Sequence, residues 1–254
     1  MPDLSLPRCL SLLALLSVAD AQVSLPAAGG HRFVDWSQEL AHPGTVVVVG
    51  TLAKWKEGKR ERQADGQLGG NGEVASVSGT QYFKVPVTAA LQPRLALQGK
   101  ADGITLTFDL QLARLPDGKE RRQLQGGATI DEDALALFVL LPKAKKGFDV
   151  RIAIPFDKTV DKGPDAEALF LDTMRDYDIV NRRMHELRGA LAAVDGQKDD
   201  AGKKAALAAL RALLDKKPEL RRPANDALLM QHVAPLEQRA EKRLREAESG
   251  EPRK

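Results

Sequence analysis

The chain of 254 residues has one cysteine, Cys9, and aromatic residues make up only 4% of it. It has no apolar run of the roughly twenty residues that a membrane-spanning helix needs. Each shortage removes a class of function. A single thiol cannot form an internal disulfide or a multi-thiolate zinc site. Cys9 opens the short apolar run of RCLSLLALLSVADAQ, Arg8 to Gln22, which has a positive flank before it and Ala19-Asp20-Ala21 after it. That order predicts a secretory signal peptide over 1–21, cleaved after Ala21, the other reading being a buried or frayed N-terminal helix. A lipid-anchoring cysteine would follow the apolar core, whereas Cys9 precedes it. Cleavage would leave a cysteine-free chain, periplasmic or secreted, with no transmembrane span.

Histidine is scarce too. His31, His42, His185 and His232 belong to no H-x-x-x-H or H-E-x-x-H motif, so no metal is expected. Asp131-Glu132-Asp133 lacks the further ligands and the glycine of a calcium loop and reads as charge at a helix N-terminus. Asp172 and Asp176, one helical turn apart, read as an exposed acidic face paired with Arg175. There is no G-x-S-x-G elbow, and the glycine cluster Gly66–Gly72 lacks the lysine and helix of a phosphate cradle, leaving a flexible connection. No cofactor is implied, and an enzyme has no assembled motif behind it. Lys and Arg number 38 against 35 Asp and Glu, a formal charge of +3 that does not demand a polyanionic partner.

Two compositions divide the remainder. Ile104 to Leu112 alternates apolar and polar residues strictly, as a strand with one wet face does. Phe148 to Phe156 repeats the pattern, with Phe148, Val150, Ile152, Ile154 and Phe156 turned inward. Thr45 to Trp55 is rich in β-branched residues, and Gly50 inside it predicts a bulge or bend. Gln81 to Thr88 is a strand whose Pro86 belongs at an edge or bulge. Leu135 to Leu141, apolar on both faces, should be the most central. Thr129-Ile130-Asp131-Glu132 fits a capping box and predicts one helical turn before the fourth strand. The fold class is therefore α+β, beginning with a small five-stranded OB-like Greek-key barrel over 44–160.

Through GTVVVVGTL, YFKVPVTAAL and DALALFVLLPKAKKG, residues 44–156 resemble the netrin/TIMP-like barrels and the secreted bacterial proteins built like them. The resemblance implies the barrel shape. Protease inhibition through an N-terminal cysteine does not carry over, because the mature chain has none.

Beyond Asp165 alanine, leucine and mixed charge take over. Phe170, Thr173, Tyr177, Val180, Met184, Leu187, Leu191 and Val194 step by three and four, the seam of a long helix packed along its length. Gly163-Pro164-Asp165 starts it and Asp195-Gly196 stops it. A second helix over about 201–214 and a third over 225–248, kinked or restarted at Pro235, complete an antiparallel hairpin or three-helix module over 164–248. Residues 22–43 read as a linker and 249–254 as a disordered tail. The seam could instead serve self-association, and the oligomeric state is not legible.

One asymmetry stands out. In an OB-like barrel the loop after the first strand and the loop between the fourth and fifth share a rim. The first carries Lys54, Lys56, Lys59, Arg60 and Arg62, and the second Lys143, Lys145 and Lys146. The leading expectation is an exported, non-catalytic binding or scaffold protein of the cell envelope that takes an anionic polymer or an acidic protein surface at this rim. Scarce aromatics disfavour nucleic acid and limit sugar stacking. The alternatives are an envelope hydrolase with acids converging at the barrel–helix junction and a structural oligomer built on the seam.

Overall fold

The computed structural model describes residues 31–63, 80–124, 130–144, 147–160 and 162–249. The expected leader, the Gly66–Gly72 cluster, Thr129, Lys145, Lys146 and residues 250–254 lie outside them. Seven antiparallel strands form one sheet: β1 (Val46–Glu57), β2 (Glu61–Arg62), β3 (Gln81–Gln98), β4 (Thr105–Arg114), β5 (Glu120–Leu124), β6 (Ala136–Pro142) and β7 (Phe148–Pro155). Their order is β5-β4-β3-β1-β6-β7, with β2 continuing the line of β1 along β3. The sheet curls into a nearly closed barrel, and helices follow it, an α+β arrangement.

All five strands expected from the sequence are present. The two unforeseen ones, β2 and β5, are polar and short, so they carry no apolar alternation. β3 runs ten residues past its expected end at Thr88. Pro86 sits where the line of β1 leaves the ladder, and its carbonyl still accepts the Gly58 N–H at 2.7 Å. Proline cannot return the reciprocal N–H bond to the Gly58 carbonyl, which suits a position where the β1 pairing ends.

Alternation in β1 and β6 divides two cores. Val46, Val48 and Leu52 with Ala136, Phe138 and Leu140 fill the barrel. Val47 and Val49 with Leu137 and Val139 face the helices. That is why VVVV and LALFVLL are apolar on both faces. The expected single inward face of β7 needs correction. Leu140 pairs with Val150 and Val139 with Ile152, so Arg151 is an extra residue on β7. One extra residue moves every later side chain to the opposite face. Phe148 and Val150 join the barrel, while Ile152, Ile154 and Phe156 join the helical core.

Gly50 marks a register shift between β1 and β3, and a Cβ there would stand 2.4 Å from the Gln92 carbonyl oxygen. Both neighbours are backbone, so Gly50→Ala is expected to cost about 1–3 kcal/mol by overpacking, read as a lowered urea midpoint. An unchanged midpoint would show that the two strands can part freely.

Helix α1 (Ala166–Gly196) is the axis of the second layer. Every seam residue from Phe170 to Val194 is buried, against α2 (Asp200–Leu214), α3 (Asp226–Leu228) and α4 (Ala234–Ser249), the N-terminal segment and the sheet. The seam is filled within the chain. Before Pro235 the chain widens into a π-helical turn, Leu229–Val233. This absorbs the missing proline N–H and the crowding of its ring against the preceding turn.

Residues 31–41 lie along α1 as a strap. Phe33, Trp36 and Leu40 are buried in the helical core. Asn181 accepts the Trp36 N–H at 2.6 Å and donates to the Val34 carbonyl, and the Tyr177 hydroxyl donates to the His31 carbonyl at 2.7 Å. Arg188 pairs with Asp35 at 3.0 Å. Burial pushes the Asp35 carboxyl up, but its bonds to Arg188 and Ser37 outweigh this and hold it below the usual range.

Candidate functional site

The far half of the barrel, away from the helices, carries the sequence-predicted rim. The helical core meets β1 at Val47 and Val49, whereas Lys54 and the cations after it lie at the other end of the strand. A β-bulge shapes this end. Ala53 pairs with Ala90 and Lys56 with Thr88, so Lys54 and Trp55 together oppose the single residue Ala89. Lys54 adopts φ 54°, a left-handed conformation uncommon for any residue other than glycine.

The bulge decides which side chains face water. Regular alternation from Leu52 would turn Lys54 and Lys56 into the barrel; the extra residue instead sends Trp55 against the barrel core and leaves Lys54 and Lys56 exposed. A turn holds it in place. The Asp133 N–H donates to the Leu52 carbonyl at 3.0 Å, and the Glu132 carboxylate accepts the Trp55 N–H at 3.1 Å. The helical turn expected from the capping box is therefore not what Ile130–Ala134 forms. Asp133 takes φ 62°, and the Glu132 side chain reaches across to β1 rather than back to the turn's own backbone.

The structure brings part of the expected cluster together. The Trp55 ring meets Phe108 of β4 in a T-shaped contact with centroids 5.7 Å apart. Lys143, at the end of β6, donates to the carbonyl of the adjacent Thr107 at 3.3 Å and pairs with Asp149 at 3.1 Å. The tail of β1 and the β6–β7 turn thus reach neighbouring residues of one strand. Lys56, Thr88 and Thr107 are aligned in register across β1, β3 and β4, all exposed.

Arg60 and Arg62 lie further along β3. Arg62 pairs in register with Phe83. Arg60 bonds Glu120 at 2.8 Å and Glu57 at 3.3 Å, and Arg122 bonds Glu57 at 3.2 Å. These bridges join the tail of β1 to β5, two elements with β3 and β4 between them in the sheet. Arg60 holds the Glu120 carboxyl below its ordinary range, and Glu120 raises Arg60 in return. Arg60 and Lys143 are thus already neutralised locally. Lys54, Lys56, Lys59 and Arg62 are exposed and form no ion pair among the described residues.

A cleft of 210 Å³ opens between β4 and β7, with Thr107, Phe108 and Asp109 on one wall and Lys143, Asp149 and Val150 on the other. Here β4 has lost β5, whose pairing with it covers only Leu110–Arg114.

Sequence reasoning missed the buried polar groups of α1. Asp172 does pair with Arg175, at 2.7 Å, but Asp176 belongs to no exposed acidic face. It is fully buried and accepts the N–H groups of Arg221 and Arg222 and the Asn225 side-chain amide. Arg183, also buried, pairs with Glu237 at 2.6 Å and donates to the Leu213 carbonyl. These groups fasten helices to one another. Among the described residues no three His, Asp or Glu side chains come together as a metal site would require, and no helix is long and apolar enough to cross a membrane. No family model matches this chain, and neither the curated proteins nor the solved structures include a match to it.

Proposed function

We propose that this chain is an exported, non-catalytic binding protein of the cell envelope whose barrel rim holds an anionic polymer. The observation that carries the reading is the bulge at Lys54-Trp55, which turns two lysines outward that regular alternation would bury. Bulges of this kind gather beside functional sites because they re-aim side chains. Lys54, Lys56, Lys59 and Arg62 then follow one another along roughly 20 Å of β3, from Ala89 to Phe83, at about 3.3 Å per residue. A linear track of cations suits a linear polyanion better than a compact acidic protein surface. The barrel shape is consistent with the netrin/TIMP-like resemblance, and the order β6-β1-β3-β4, with the returning strand beside the first, supports the Greek-key reading. An OB-like barrel commonly binds at this end.

The test uses the protein recovered from its own host. A mature chain beginning at Gln22 supports export, and one that retains Cys9 overturns it. On immobilised heparin the combined substitution Lys54→Glu, Lys56→Glu, Lys59→Glu and Arg62→Glu is expected to weaken binding about tenfold or more near 0.1 M salt. Equal retention of parent and variant would end the rim reading.

A further inference from the structure

We propose that the cleft between β4 and β7 is a subsite for one neutral sugar ring of an anionic polysaccharide. This inference deepens the rim reading and rests on it. The cleft's own groups separate it from the rim. Asp109 and Asp149 bring two carboxylates, each paired with an ammonium, Lys84 and Lys143, so the cleft has no net charge to attract a bare phosphate or sulfate, whereas a hydroxyl is welcome. Hydroxyls both donate and accept; the carboxylates and the Thr107 carbonyl take their protons, and Lys143 donates to their oxygens.

These groups are free to exchange partners. Asp109 pairs with Lys84 at 2.9 Å and Asp149 with Lys143 at 3.1 Å, both bridges half open to water. Bridges this exposed add little to stability, so a ligand hydroxyl can replace either partner. Phe108 supplies an apolar wall, and its ring is braced by Trp55. The volume of 210 Å³ is below the ~300–1,000 Å³ of drug-sized pockets and suits a single ring. The aligned row Lys56, Thr88 and Thr107 leads from the cationic track to the mouth of the cleft, roughly 10 Å across two strand spacings. A chain whose charge sits on substituents and whose rings are polyhydroxylated satisfies both surfaces at once. Polyphosphate satisfies only the first.

The experiment compares a hyaluronan oligosaccharide, in which uncharged N-acetylglucosamine rings alternate with glucuronate, with polyphosphate as calorimetric ligands of the full mature protein. Two variants are used, Phe108→Leu, which keeps an apolar side chain at the barrel mouth, and Asp149→Asn, at an exposed position whose one ion pair, to Lys143, is open to water. Both are expected to lower affinity for the oligosaccharide about five- to tenfold while leaving polyphosphate within about twofold. Unchanged affinity for the oligosaccharide, or equal losses for both ligands, overturns the sugar subsite and leaves the rim standing. If the parent binds neither ligand, the rim reading falls and the subsite falls with it.

Discussion

Asp176→Ala is expected to destabilise the protein by about 3–5 kcal/mol, the largest loss from any single polar substitution in the helical layer. The carboxylate lies in the middle of α1 with no exposed surface and accepts three hydrogen bonds, at 2.7 Å from Arg221 N, 3.1 Å from Arg222 N and 2.8 Å from Asn225 Nδ2. All three donors belong to the connection between α2 and α3, so one side chain fixes where the chain turns back towards α1. Alanine removes the acceptor and leaves three donors short of water, each unmet group costing on the order of 1–3 kcal/mol. Asp176→Asn is the informative comparison. It retains one oxygen but points an amide N–H at groups that also donate, and should recover only part of the loss. Urea denaturation of the three proteins measures the effect. A loss below about 1 kcal/mol for the alanine variant would show that the connection is held by its apolar contacts alone.

Asp178 should behave in the opposite sense. Its side chain is buried, one oxygen has no hydrogen-bond partner among the described residues, and its ion-pair partner is Arg182. Burial raises its pKa to about 6 from 3.8, against the opposing attraction of Arg182. The folded state therefore holds this proton more tightly than the unfolded chain does. The stability so gained is fully present below pH about 4 and is lost as pH rises through about 6. Asp178→Asn removes the buried charge and keeps the shape. At pH 7.5 it is expected to be more stable than the parent by roughly 1–3 kcal/mol, the difference shrinking towards pH 4. Denaturation midpoints of both proteins across pH 4–8 provide the measurement. A variant less stable than the parent at pH 7.5 would mean that the pair with Arg182 outweighs the cost of burial.

The two aspartates show where the sequence stops being informative. The three-and-four stepping from Phe170 to Val194 identified the buried seam, because an apolar stripe on a helix has one cause. Asp176 lies off that stripe and resembles any solvated acid. It is covered by the connection that carries Arg221, Arg222 and Asn225, a segment with no periodicity to read. The β-strands divide in the same way. LALFVLL announced a strand covered on both sides, yet nothing in FDVRIAIPF reveals that Arg151 bulges and moves Ile152, Ile154 and Phe156 into the other core. At the rim, lysine spacing marked the region. Gly50 was the visible signal for an irregular strand, whereas the irregularity that shapes the rim falls at Lys54, whose left-handed backbone no residue type announces. The pairing of Arg60 with Glu120 and Glu57 was equally hidden, since the three residues meet only once the sheet has curled.

The strap along α1 also sets an order of events in time. Trp36 and Asn181 are 145 residues apart in sequence, and Ser37 and Arg188 are 151. At about 5–20 residues per second, a ribosome reaches the partner of Trp36 roughly 7–30 s after making Trp36 itself. Throughout that interval Phe33, Trp36 and Leu40 have no helix to cover them, and loop closure over such a span is slow. The barrel has a core of its own and can condense earlier, so the strap, made before the barrel strands, finds its place after them.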